Sequence, residues 1–364
     1  MYSKQLGSIL LAAVGIGATA TAWAAPVGEP LARPAMMVSQ PEKAFLTSLT
    51  QAGPRLVAVG ERGIIVLSDN GGKTWRQAKV PASVTLAAVH FPTPTHGWAV
   101  GHYGVILHSA DGGQSWTRQL DGVQAAQLVL RDAQASAGQG GAAAEAYLAE
   151  AQRLVADGPD KPFLSLHFSD DKNGVVVGAY NLAFRTTDGG KSWTPLSGRL
   201  DNPKASHLYA VRAAGSEIFI AGEQGLLLHS TDGGARFSRV ETPYKGSFFT
   251  LVHTSTDIVV GGLGGNAFRS ADKGLNWTRI AVPVPVSITG MDVRGGTLLM
   301  ANQAGMLMVG PLAASAVQSL KMAPLPPLND VLAQPDGSIV AASMFGVLRL
   351  PPQAGVIPVS VAAK

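Results

Sequence analysis

Short apolar runs recur along the chain. Each ends on a small residue and is followed, three positions on, by a turn residue and a second apolar run. The units read VAVGERGIIVLS, WAVGHYGVILHS, VVVGAYNLAFRT, FIAGEQGLLLHS, VVGGLGGNAFRS, LLMANQAGMLMVG and IVAASMFGVLRL. Their anchors are Gly60, Gly101, Gly178, Gly222, Gly262, Asn302 and Ser343, spaced by 41, 77, 44, 40, 40 and 41 residues. The 77 is one period with 36 residues to spare, so the chain holds seven units of a period near 41.

Within a unit the pattern is that of strands. In the second unit, LAAVHF (86–91) and GWAVG (97–101) flank PTPTH, HYG turns into VILHS (105–109), and ADGGQS leads into WTRQL (116–120). Short runs rich in Val, Ile, Leu and aromatics between Gly, Pro, Asp and Asn read as strands. Four antiparallel strands repeated seven times predict an all-β fold, a seven-bladed β-propeller over residues 41–364, preceded by an N-terminal segment at 25–40. Two segments are candidates for completing blade seven: VIPVSVA (356–362) and AMMVS (35–39).

The surplus lies between blades two and three, at 121–162. GVQAAQLVLRDAQASA and AAAEAYLAEAQRLVADG are rich in helix formers and are split by GQGG (138–141), which predicts a helical hairpin. Tyr147, Ala151, Leu154 and Val155 fall on one face of the second helix, and Gly158-Pro159 ends it. The hairpin either packs onto its own propeller or serves as a docking element or lid.

A second motif rides on the repeat: SDNGGKTW (68–75), SADGGQSW (109–116), TTDGGKSW (186–193), STDGGARF (230–237) and SADKGLNW (270–277). This is the Asp-box turn between third and fourth strands. Asn70, Asp111, Asp188, Asp232 and Asp272 are placed to accept hydrogen bonds from successive backbone N–H groups. Gly72, Gly113, Gly190, Gly234 and Gly274 allow positive φ. Trp75, Trp116, Trp193, Phe237 and Trp277 then bury a ring between blades. A calcium loop wants carboxylates at alternate positions and a bidentate Glu, which these copies lack. Five copies around a ring cannot all meet one substrate, so the box reads as structural.

In a four-strand meander the Asp boxes share a face with the first-to-second loops. The second-to-third turns and the crossovers, including the hairpin, lie on the other face. Those turns carry Glu61, Arg62, His102, Tyr103, Tyr180, Asn181, Glu223, Gln224, Gln303, Met344 and Phe345, the candidate partner-binding residues. His90, His167, Arg212 and His253 fall near the ends of inner strands. They are expected to stand apart on separate blades, too far from one another for a metal site. A glycosidase would need two carboxylates converging at the channel mouth. Glu61 and Glu223 lie on blades one and four, across the ring, so no enzyme is expected. A channel that binds a small exported ligand is the alternative reading.

Composition sharpens this. The chain has 364 residues, 46% hydrophobic and 14% charged, with 43 Gly and 23 Pro, a globular balance rich in turns. Lys4, the apolar run Leu6 to Ala20 and Ala22-Trp23-Ala24 form a signal-peptide pattern over 1–24, so export to a periplasm is expected. No cysteine is present, which excludes disulfides and a lipidated N-terminal Cys. The net charge of +4 is scattered without a Lys/Arg block, which argues against nucleic acid. No cofactor is expected.

The cadence V-G-x-x-G-x-I-x-x-S-x-D-G-G-x-S-W, borne by residues 100–116, resembles the BNR/Asp-box repeat propellers, and among them the photosystem II stability/assembly factor-like family. The resemblance implies an exported scaffold that assists assembly or stability of a membrane protein complex. Relatives in non-photosynthetic bacteria often accompany RND-type exporters, so a transporter of that type is one implied partner. The alanine-rich insertion and the box-less last two units depart from the simplest pattern.

Overall fold

A computed structural model describes residues 29–352. The predicted signal peptide (1–24) and the segment 356–362 lie outside the described residues. The chain forms seven antiparallel sheets, and each is a meander in sequence order. The inner strands are Leu46–Ala52, Leu86–His90, Phe163–Phe168, Leu208–Ala214, Phe248–His253, Ile288–Arg294 and Leu328–Ala333. Each lies beside the inner strand of the next blade, and the last lies beside the first. Seven clusters of buried apolar side chains fill the spaces between neighbouring blades. Side chains alternate between the two faces of each sheet, so both faces are covered.

All seven anchors are the last residue of a second strand. The reason is close approach rather than torsion. A Cβ on Gly60 would sit 2.0 Å from the Phe45 carbonyl oxygen, and one on Gly262 2.0 Å from that of Ser247. In blades six and seven the anchors are Asn302 and Ser343, and both use their side chains there. Asn302 Oδ1 accepts the N–H groups of Ala304 and Met306 at 3.0 and 2.9 Å, and Ser343 Oγ donates to Gly346 O at 2.7 Å.

Six sheets have four strands, and the seventh has three among the described residues. The AMMVS segment does not complete it. Residues 35–39 run along the outer edge of blade one instead, where Ala35 N–H donates to Val80 O and Val38 N–H to Gln77 Oε1 at 3.0 Å each. Side chains stitch blade seven to blade one. Asn329 Nδ2 donates to Leu46 O at 2.7 Å, Asp330 Oδ2 accepts from Ser48 Oγ and Leu49 N–H at 3.0 Å each, and Gln51 Nε2 donates to Gln334 Oε1 at 3.1 Å.

The insertion forms helices α1 (Gly122–Ala137) and α2 (Ala142–Asp157). Asp121 caps α1 in a reciprocal box with Gln124. Ala125, Val129 and Ala133 are buried in the core shared by blades two and three. The hairpin therefore packs onto its own propeller, and its second helix buries only Ala151 fully.

Candidate functional site

The two rims differ in how their turns are built. On one rim the five Asp boxes repeat a single hydrogen-bond set. Asp111 Oδ1 accepts Ser115 N–H at 3.0 Å, Oδ2 accepts Ser115 Oγ at 2.6 Å, and Ser109 Oγ donates to Oδ1 while accepting Gly113 N–H, each at 2.8 Å. Asn70 serves the first copy in the same way, accepting from Lys73 and Thr74 N–H. The glycine at the fifth position of every box takes positive φ, from 81° to 92°. The hydrogen bonds hold Asp188 and Asp272 at a pKa of about 2, led by the Ser192 hydroxyl and the Asn276 N–H respectively. Trp116, Trp193 and Phe237 are buried between blades, whereas Trp75 and Trp277 are half-buried.

On the opposite rim the second-to-third turns cluster at the starts of the inner strands. In each blade the residue after the anchor donates its N–H to the residue before the inner strand, as Glu61 does to Phe45 O and Leu263 to Ser247 O. Arg62, Tyr103, Tyr180, Asn181 and Gln224 sit here at φ between 51° and 61°, a region L-residues seldom enter. Their side chains have different fates. Arg62, His102, Gln224, Gln303, Met344 and Phe345 are exposed. Tyr103 packs against the core of blades one and two. Asn181 is buried: its Nδ2 donates to Ser197 O and its Oδ1 accepts from Asn202 Nδ2. Asn181 is thus positioned as a structural residue, contrary to the surface role expected of it, whereas Tyr103 is half-buried. Glu61 Oε1 accepts Phe45 N–H within its own blade.

The turns of blades three to five join into an aromatic ledge that the sequence did not disclose. Tyr180 stands edge-on to His207 at 4.5 Å between ring centroids, His207 to Tyr209 at 6.2 Å, and Tyr209 to Phe249 at 5.3 Å. Glu223 supports the ledge, accepting His207 N–H at 2.9 Å and the Tyr209 hydroxyl at 3.2 Å. Burial, then the Glu223 carboxylate, pushes Tyr209 up to about 12, so it remains a donor. His207 Nδ1 accepts Tyr180 N–H at 2.9 Å, which leaves Nε2 as the protonated nitrogen of the neutral ring. Tyr180 also borders a groove of about 280 Å³ between α2 and blade three. Val129, Tyr147, Leu154 and Leu182 line it, and the Lys161 ammonium lies 5.5 Å from the Tyr180 ring centre. The missed residues His207, Tyr209 and Phe249 lie at inner-strand starts, which single-turn reading passes over.

The channel is the second surprise. His90 and His167 do not stand apart: their rings stack at 4.7 Å, and both share a cavity of about 320 Å³ with Arg212 and His253. Burial first, then Arg212 for His90 and His90 for His167, pushes them down to about 3 and 2. Two carboxylates also line this cavity, Asp292 and Asp330. Both are occupied by backbone donors. Asp330 Oδ1 accepts Val331 N–H, and Asp292 accepts Val293 N–H and, across to blade seven, Ala333 N–H at 2.8 Å. Among the described residues no cluster fit to hold a metal ion occurs.

Residues 36–138 and 149–290 match the sequence model of the family described as photosynthesis system II assembly factor YCF48. The photosystem II assembly lipoprotein Ycf48 of Synechococcus sp. (strain CC9902) is 38% identical over 77 residues, 21% of this chain and 23% of that protein. The similarity thus spans less than a quarter of that relative's length. Among solved structures, YCF48 bound to D1 peptide aligns with a TM-score of 0.61 at 16% identity, covering 90% of this chain and 98% of that one. YCF48 from Cyanidioschyzon merolae aligns with the same score at 13% identity, covering 89% and 99%. At such identities the structural likeness establishes the fold.

Proposed function

The chain belongs to the photosynthesis system II assembly factor YCF48 family, and we propose that it is a non-catalytic assembly factor that grips a segment of a membrane protein on the rim opposite the Asp boxes. The observation carrying this reading is where the exposed apolar side chains lie. Tyr180, Leu263, Met344 and Phe345 are 60%, 48%, 47% and 70% exposed on the turn tips of blades three, five and seven; among the described residues the Asp boxes themselves expose one large apolar side chain, Leu275, and the others lie on the 35–39 segment and on α1. Aromatic and Met side chains at such positions are interface anchors, and large exposed apolar groups on one side of a fold mark partner surfaces. A solved relative carries a D1 peptide, by its description, which is the kind of client this surface would suit.

Export supports the finer reading. The signal-like first residues support a periplasmic location, where an RND-type exporter would be a client of the implied kind. The Synechococcus relative is named a lipoprotein, and the sequence here contains no cysteine. Among the described residues no helix is long and apolar enough to cross a membrane.

The test uses a photo-crosslinking residue placed at position 180 or, as the control face, at 275, in cells of the source organism. A membrane protein crosslinked from 180 and not from 275, and lost when Phe345→Asp and Leu263→Asp are added, is the expected result. Equal labelling from both faces, or none from either, would overturn it.

A further inference from the structure

The channel carries a separate site. We propose that it binds a small zwitterion: a free amino acid, or a molecule of that size with one ammonium and one carboxylate. The inference does not depend on the docking rim, because the residues concerned lie deeper, toward the Asp-box end of the inner strands.

Strand register defines the layer. In every blade one inner-strand residue pairs with the residue three before the anchor. These are Thr50, His90, His167, Arg212, Val252, Asp292 and Leu332, and all seven line the cavity of about 320 Å³. Asp330 joins them two residues earlier on its strand, and His253 one residue later on its own.

The layer is polarised across the ring. Blades two, three and four supply His90, His167 and Arg212. Blades six and seven, on the facing wall, supply Asp292 and Asp330. The walls between, blades one and five, contribute the uncharged Thr50 and Val252. Arg212 donates from Nη1 to the preceding Val211 carbonyl at 2.8 Å, and among the described residues no carboxylate lies within 4.0 Å of its guanidinium, Asp292 and Asp330 acting on it only from across the cavity. A guanidinium has further N–H donors in a planar fork suited to a carboxylate. Beside it, His167 Nδ1 is buried without a hydrogen-bond partner, as is His253 Nδ1. Buried polar atoms are almost always partnered, so an orphan lining a cavity indicates a ligand or water that completes it.

The opposite wall has acceptor capacity left. A carboxylate offers about four lone-pair directions. Asp292 accepts two backbone N–H groups, and Asp330 accepts two together with the Ser48 hydroxyl. An ammonium fits what remains. A simple anion would satisfy Arg212 and leave the carboxylates facing a desolvated space. A simple cation would do the reverse. A zwitterion answers both walls and brings no net charge into a buried site, where an uncompensated charge is costly.

Ligand-observed NMR and isothermal titration calorimetry on the purified chain test this. The zwitterions are free glycine, alanine, glutamine and γ-aminobutyrate, and the one-ended controls are propionate and propylamine. At least one zwitterion is expected to bind at least tenfold more tightly than either control. Arg212→Gln and Asp292→Asn should each weaken it tenfold or more, while Tyr180→Asp on the rim leaves it unchanged. Should Arg212→Gln fail to fold, His167→Gln reads the same wall. No binding by any of the four at millimolar concentration would overturn the proposal. So would a control that binds equally well, or full affinity in a folded Arg212→Gln or His167→Gln protein.

Discussion

Ser109, Asp111 and Ser115 on blade two make the same set of hydrogen bonds as Thr186, Asp188 and Ser192 on blade three. Across the sheet, the turns of the same blades hold His102-Tyr103 and Tyr180-Asn181, which share a backbone shape and little else. One rim is uniform because each box satisfies its own polar groups and anchors a ring in the core, so any change is felt in stability. The other rim keeps only the backbone donor to the inner strand constant, which frees the tips to vary in side chain. The difference separates what a blade needs in order to fold from what a ring of blades can present to a partner.

The comparison breaks first if the box rings carry little stability. Trp116 is 5% exposed, packs edge-on to Phe91 at 5.8 Å and donates from Nε1 to Gly113 O at 2.9 Å. Trp116→Ala removes a buried indole and leaves a cavity, an expected loss of about 3–5 kcal/mol in urea unfolding. A loss below about 1 kcal/mol would mean the box is not what holds adjacent blades together.

Acid titration sharpens the same contrast by separating rim from channel. His90 and His167 have folded pKa values of about 3 and 2 against 6.5 unfolded. Their stabilising contribution is complete above 6.5 and is lost as pH falls from there toward 3. His108, His229 and His253 are lowered by burial too and act in the same direction. Asp330, raised by burial to about 6, works against this, since its protonation between 6 and 3.8 relieves a buried charge. Asp188 and Asp272, lowered to about 2, keep their contribution down to 3.8 and lose it only as pH falls through 2. The channel should therefore weaken before the rim. Urea unfolding is expected to lose about 2 kcal/mol between pH 7 and 5. A His90→Gln/His167→Gln protein should lose clearly less over that window. An unchanged slope in that protein would remove the channel from the account.

Much of this was legible in the sequence, because it is local. The anchors mark a clash with the neighbouring strand, and the boxes satisfy themselves within eight residues; both recur at the period whatever the ring does. The helix boundaries follow from composition and from the Asp121 cap. Ring closure was not legible, since Asn329, Asp330 and Gln334 act on strand one from nearly three hundred residues away. Nor was the channel. The stacked pair joins residues 90 and 167 across the helical insertion, and Asp292 becomes visible only when each inner strand is aligned on its anchor. His253 falls near the end of an inner strand as the pair does, yet register places it one residue off their layer. On the docking rim, Tyr103 holds the turn position of the exposed Arg62 and Gln224 yet lies half-buried against the core, while Asn181 stands where neighbouring blades have a buried glycine.

The smallest effect tests whether the left-handed tips of the docking rim are a cost to the fold. Gln224 is exposed at φ 53° and ψ 37°, and blade five has Gly264 in the same place at φ 64° and ψ 28°. An L-residue there costs about 1–2 kcal/mol in local strain, whereas glycine costs about 0.5–1 kcal/mol in extra unfolded-state freedom. Gln224→Gly should thus raise stability slightly, by about 0.5 kcal/mol, with Glu223 still holding Tyr209 and the ledge unmoved. A loss of more than about 0.5 kcal/mol would show that the Gln224 side chain stabilises the turn, and this tip would then belong with the folding rim. A gain in stability accompanied by weaker crosslinking from position 180 would instead tie the strained tip to partner binding.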